Sequence, residues 1–426
     1  MDTKPPVEFP APEGLFDRLI QFSIRNAIWI MLFTMAWIAI GLYSYQKLSI
    51  DAVPDITNVQ VQINSQANGF TAAEVEQRIT YPIENAMAGM PNLEQTRSIS
   101  RYGLSQVTIV FKDGTDIYWA RQLINQRLQE ANASLPDDIE PQMSPISTGL
   151  GEIYQWVIKA EPNAKKADGT PYTAMDLREI QDWIVRPQLQ RVAGVAEINS
   201  IGGYNKTYMV SPDLKRLQQL QIPMTDLQTA LRENNENRGA GFLEQNGQQL
   251  TVRIPGMLRG IQDIENITLG NKNGLPIRVA DVATVSVGHD LRTGGATYNG
   301  EETVLGIAMM MMGENSKTVA QALDAKVQEL KQSLPEGVVI ETVYNRSSLV
   351  DKAIKTVAKN LIEGAILVIV ILFIFLGNFR AALITACIIP LSMLFTITGM
   401  AEQKISANLM SLGALDFGII VDGAVV

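Results

Sequence analysis

Residues 59–111, VQVQINSQANGFTAAEVEQRITYPIENAMAGMPNLEQTRSISRYGLSQVTIVF, carry the pattern that decides the architecture. Alternation of Val59, Val61 and Ile63 with polar neighbours predicts a strand with one buried face. Phe70 and Thr71 then introduce a helix. Thr71 followed three residues later by Glu74 is a capping-box signature, and Gly89 with Pro91 ends the helix after Ala88. Strands are expected at 96–101 and 106–111, parted by Tyr102 and Gly103. Asp113 and Gly114 form a turn, and a second helix is expected over 116–133. The order βαββα predicts a split βαβ unit, with helices covering one face of a small sheet.

The same order recurs downstream. Residues 153–159 read as a strand and 174–192 as a helix, with strands at 196–201 and 206–210 and another helical piece starting at Asp213. The unit is completed by a strand at 303–311, a helix at 316–332 and a strand at 338–343. Residues 224–298 between them read as an insertion, a helix at 224–233 followed by glycine-rich hairpins. The repeat shows as recurring element order rather than as residue identity.

Apolar spans flank this water-compatible region. Residues 26–45 are twenty residues without a charge, about 30 Å of helix, enough to cross a bilayer core. The run ends in Tyr-Ser-Tyr-Gln-Lys without a small-residue cleavage pattern, so an uncleaved anchor is expected rather than a signal peptide. A second span is apolar over 361–376, and a third follows over 381–399 with Pro390 inside it. Residues 408–426 begin a fourth, in which Asp416 and Asp422 interrupt an otherwise apolar run. A carboxylate at membrane depth is costly unless it faces a protein interior or a wet path, so two in one helix point to proton or ion coupling. In an α-helix they would lie about 120° apart and about 9 Å along the axis, on successive levels of one path rather than in a tight dyad. Bridging between helices, or capping a break near Gly413 or Gly418, is the alternative role. Arg18, Arg25 and Arg380 flank the short connections and predict a cytoplasmic face there, with the large domain on the opposite side, the periplasm in a bacterium.

Composition excludes several classes. The net charge of −9 argues against a nucleic-acid partner, which needs a basic footprint. One cysteine, Cys387, permits no intrachain disulfide, and with the lone His289 it makes no soft-metal site. The lone histidine and the absence of a nucleophile–base arrangement argue against an enzyme of the hydrolase type. Gly149 and Gly151, like the pair Gly202 and Gly203, lack the GxxxxGK[ST] form and read as turns. Met309–Met312 alternate across a strand, so at most two share a side, and strand core is the expected role.

Five phrases, at 50–61 (IDAVPDITNVQV), 97–108 (RSISRYGLSQVT), 147–154 (STGLGEIY), 366–390 and 406–426, resemble the heavy-metal efflux branch of the resistance–nodulation–division (RND) transporters, and the likeness covers essentially the whole chain. The resemblance implies an α+β membrane protein with ferredoxin-like (split βαβ) porter subdomains and an inserted docking subdomain. It divides the chain into a cytoplasmic tail (1–25), helix 1 (26–45), porter subdomain 1 (46–136), the first part of porter subdomain 2 (137–223), the docking subdomain (224–298), the completion of porter subdomain 2 (299–352), and helices 2 (353–378), 3 (381–399) and 4 (408–426, truncated). Implied with it are a proton-driven antiporter of the bacterial inner membrane, a homotrimer, a periplasmic adaptor and an outer-membrane channel as partners, and no cofactor, since the metal ion is cargo. Zinc, cobalt and cadmium are the favoured ions. Asp416 and Asp422 match the proton relay of the family in LDFGIIVDGAVV, and Glu152 in the glycine-flanked phrase is the candidate metal carboxylate of the cleft. Two further readings stay open: a truncated, membrane-anchored assembly fragment without transport, and a multidrug exporter of the same superfamily.

Overall fold

Thr71 caps its helix as its spacing predicts. Its hydroxyl accepts from the Glu74 amide while the Glu74 carboxylate accepts from the Thr71 amide. The computed structural model containing this cap describes residues 22–23, 25–47, 50–51, 57–254, 256–272, 274–290, 292, 294–376, 379–403 and 407–408.

The first unit runs β1 (Gln60–Gln66), α2, β2 (Leu93–Arg101), β3 (Leu104–Phe111), α3 (Ile117–Asn132) and β4 (Gln142–Met143), after the N-terminal helix α1 (Ala27–Lys47). Its α2 has three pieces, Ala72–Val75, a π-helical turn Glu76–Thr80, and Tyr81–Met87. The strand order is β2-β3-β1-β4, that of a split βαβ unit. Val61 and Ile63 of β1 point into a core shared with Ile79, Ile83, Phe111 and Ile124.

The second unit runs β5 (Ser147–Ala160), α4 and β6 (Val195–Gly202), leaves to build a third unit, and returns with β13 (Ala296–Tyr298), β14 (Glu301–Met311), α5 (Ser316–Leu330) and β15 (Val338–Asn345). Here β6 and β13 lie end to end along one edge of β14, and the order continues β14-β5-β15, the arrangement of the first unit again. The likeness extends to α4, whose pieces are Ala174–Ile180, a π-turn Gln181–Val185 and Arg186–Leu189. It too opens with a capping box, Thr173 with Asp176. In both helices the residue before a proline bonds five residues back, Tyr81 to Glu76 O and Arg186 to Gln181 O. Pro82 and Pro187 have no N–H to give and their rings crowd the carbonyl four residues back; the wider turn relieves both problems. Each π-turn also delivers a polar side chain beneath its sheet. Thr80 meets the hydroxyls of Ser100 and Ser105, and Gln181 accepts from the Trp156 indole at 3.0 Å.

Trp156 is fully buried in the second core, and its cross-strand partner is Gly306. A Cβ at Gly306 would lie 2.2 Å from the indole, so only glycine fits under the ring. On this sheet Glu341 accepts from both Lys159 and Tyr298, and the Lys159 hydrogen bond above all holds its carboxyl below the usual 4.5.

The third unit holds β7 (Lys206–Pro212) paired with β12 (Ala283–His289), and the hairpins β8 (Arg238–Gln245)–β9 (Gln248–Ile254) and β10 (Thr268–Lys272)–β11 (Leu275–Arg278). Short helices carry Leu217, Leu227 and Ile264 into its own core. Three boundaries differ from expectation. The strand at 206–210, expected in the second split unit, belongs to the third, because its partner β12 lies some seventy residues on and no local pattern reveals it. Gly202 and Gly203, both at positive φ, turn the chain out of the second sheet there. The inserted unit therefore starts near 205 rather than 224 and ends at His289, while residues 296–298 rejoin the second sheet. The first unit likewise extends past 136, since Leu135, Ile139 and β4 complete its core and edge.

Among the described residues, Ala27–Tyr45 is the one helix long and apolar enough to cross a membrane by length and composition. The expected second and third spans fall in α6 (Arg346–Leu376) and α7 (Phe379–Glu402). Helix α6 starts at Arg346, directly off β15, rather than at 353. Trp37 of α1 stacks on Phe395 of α7, with centroids 5.2 Å apart, and Gly41 lets Leu394 approach to near backbone contact. Beyond these helices Ile50–Asp51 pairs in parallel with Ala407–Asn408, so α1 and α7 deliver their chains to the same side.

Candidate functional site

The outer face of β1 is a stripe of amides. Gln60, Gln62, Asn64 and Gln66 alternate with the buried residues, and Asn68 continues the stripe. A strand buried on one face needs only polarity on the other, yet this face is uncharged throughout. It lines a cavity of about 1030 Å³ between the first and second units. The amides are oriented by one another: Gln62 donates to Asn64 Oδ1 at 2.9 Å, and Asn64 donates to Ser144 Oγ at 2.9 Å. Arg121 fixes the Ser144 segment through its carbonyl at 2.6 Å.

Charge enters the lining from the edges. Asp138 and Glu140 come from the loop before β4, and Glu197 from β6, against one guanidinium, Arg186. Two thioethers, Met143 and Met309, lie on the same lining, and Phe70 is its one aromatic ring. Among the described residues no group of three or more His, Cys, Asp or Glu stands close enough to hold a metal ion.

Glu152 lies elsewhere. It is exposed on β5, accepts from Gln155 at 3.1 Å, and lines a smaller cavity of about 250 Å³ with Tyr344 and Arg346. The buried Arg346, which donates to Leu150 O, gives that pocket a cation of its own. Asp416 and Asp422 lie outside the described residues. His289 packs on Tyr204 with ring centroids 4.7 Å apart, and Cys387 is exposed on α7. Of the methionine run, Met310 is core as expected, whereas Met309 turns to the large cavity. The period-two amide pattern was the signal in the sequence for this cavity. Its carboxylates, drawn from 138, 140 and 197, carried none.

Two split βαβ units, an inserted third and an apolar leading helix make up a fold that comparison with known proteins places in a family. The model of the AcrB/AcrD/AcrF family matches residues 19–426, and the chain belongs to that family. It is 61% identical over 412 residues to the cobalt-zinc-cadmium resistance protein CzcA of Cupriavidus metallidurans, covering 97% of this chain and 39% of that protein. It is 56% identical to Protein HelA of Legionella pneumophila, with the same coverage, and 34% identical to the cation efflux system protein CusA of Escherichia coli K12. A crystal structure of a heavy metal efflux pump superposes with a TM-score of 0.84 at 36% identity, covering 95% of this chain and 40% of that one. The chain spans about two-fifths of the length of these relatives.

Proposed function

We propose that this chain supplies the first part of a proton-driven exporter of divalent heavy-metal cations, with zinc, cobalt and cadmium as its cargo. The observation that carries the proposal is the amide- and carboxylate-lined cavity between two repeated units, in a chain so similar to proteins named for cobalt-zinc-cadmium and nickel-cobalt-cadmium resistance. A lining with one aromatic ring suits a hydrated cation better than an apolar drug. In this reading the two split units are the porter subdomains and the third unit is the docking subdomain. The complete protein is a homotrimer of the bacterial inner membrane, joined to a periplasmic adaptor and an outer-membrane channel. The large domain faces the periplasm, with α1, α6, α7 and the 408–426 segment spanning the membrane.

Asp416 and Asp422 serve as the proton relay. Their charge changes as protons pass, and a membrane carboxylate that gains and loses its charge biases the helices around it between two arrangements. Glu152, beside the basic pocket of Arg346, acts as an accessory carboxylate at the mouth of the second unit.

The test is metal-dependent proton exchange by the complete protein in proteoliposomes. Exchange driven by zinc, cobalt or cadmium is expected, and Asp416→Asn and Asp422→Asn should each abolish it while leaving the protein folded. Exchange that persists in both variants removes the relay from the proposal. No exchange with any of the three ions, in protein shown to be folded, removes the cargo.

A further inference from the structure

Met309 has an unusual pair of neighbours. It sits on β14, the central strand between β5 and β6, and its cross-strand partners are Glu152 on one side and Glu197 on the other. Of these partners Glu197 shares the large cavity with Met309, whereas Glu152 lines the smaller pocket beside Arg346. Irregularities in register flank Met309 on both pairings. Such bulges re-aim side chains and interrupt the regular ladder. Met309 is half-buried and reaches the large cavity together with Glu197, and the first unit contributes a second thioether, Met143, to the same lining.

Met309 is not a member of the buried core cluster. Its neighbour Met310 fills the core, and most of the donors on the cavity wall are amide, hydroxyl and carboxylate oxygens. A soft donor in a wall of mostly hard donors discriminates among cations that oxygen alone treats alike. Sulfur gains most with the most polarisable ion, and of zinc, cobalt and cadmium that is cadmium. With few protein ligands the ion keeps part of its water shell, so binding stays weak enough for release. A conducting path needs that weakness.

We propose that Met309, set against Glu197, is the specificity-determining residue of the cavity, tilting it toward cadmium over zinc. The inference rests on the reading of the cavity as the cation path. Its test uses the chain in detergent or nanodiscs, titrated with Cd²⁺ or Zn²⁺ alone, and reads both affinities and the ¹¹³Cd chemical shift. Met309→Leu, a volume-conserving change, is expected to lower the Cd²⁺/Zn²⁺ affinity ratio about fivefold and to move the ¹¹³Cd signal upfield, toward an oxygen-only environment. Glu197→Gln should weaken both ions about tenfold. Met311→Leu, off the lining on the same strand, is the control. If Glu197→Gln weakens both ions but Met309→Leu leaves ratio and shift where they were, the selectivity role is overturned and the cavity reading stands. If neither ion binds, or Glu197→Gln affects neither, the cavity reading falls and the selectivity role falls with it.

Discussion

A single missing side chain governs the second core. Gly306 lies under the Trp156 indole, where a methyl would meet ring atoms at 2.2 Å on a strand hydrogen-bonded on both sides. Gly306→Ala should therefore cost about 1–3 kcal/mol through overpacking. Denaturant titration followed by tryptophan fluorescence would measure it. Because the clash is with the indole, Trp156→Leu in the Gly306→Ala background should lose less stability than the two single changes added together; additive losses would mean the indole is not what excludes the methyl. At this scale the sequence was legible unevenly. Thr71 and Glu74 could be read as a cap because the whole interaction spans four residues. The neighbours of Glu152 could not, because Met309 and Arg346 reach it only through strand pairing and a shared pocket far along the chain.

Helix caps, π-turns and surface pairs belong to the element scale. Thr173→Ala removes the cap of α4 and should cost about 1 kcal/mol. The same helix carries Gln181 to the Trp156 indole, so the loss should appear in the fluorescence of that residue as well as in the melting temperature. The Glu341 carboxyl, held below its usual range by Lys159 and Tyr298, sets a pH dependence of definite sign. A lowered folded-state pKa adds stability that is fully present above about pH 4.5 and is lost as pH falls through the folded value. Glu341→Gln should thus lower the melting temperature at pH 7, and the gap from the parent should close as the solution is taken toward pH 3. A constant gap would assign the loss to packing instead. The repeated device of capping box, π-turn and X-Pro was present in the sequence as Thr-x-x-Asp/Glu followed by a proline. The three-residue difference in spacing between the cap and Pro82 or Pro187 hid it from a search by identity.

For the whole molecule, element order was the readable part and boundaries were the hidden part. Local periodicity shows a strand but not its partner, so nothing local to 206–210 tells the third unit's sheet from the second's. The corrected boundaries have a use. Gly202 and Ala296 are adjacent, since a Cβ on Gly202 would lie 2.9 Å from Ala296 N, and the third unit leaves and returns through paired strands clasped by Asn205 and Asp290. Replacing residues 204–294 by a short glycine–serine turn should leave the second sheet intact, with slow hydrogen exchange retained in β5 and β14. Loss of that protection would show that the third unit is part of the second unit's stability.

The same insertion sets an order of events at the ribosome. Strand β5 acquires the first of its two neighbours, β14, only after about 140 further residues have been made, and the second, β15, later still. At typical synthesis speeds that interval is roughly 7–28 s. Through it both edges of a fourteen-residue strand stand unpaired while the third unit, complete by His289, closes on itself. Nascent chains stalled between residues 203 and 300 should be the species that chaperones hold and proteases find.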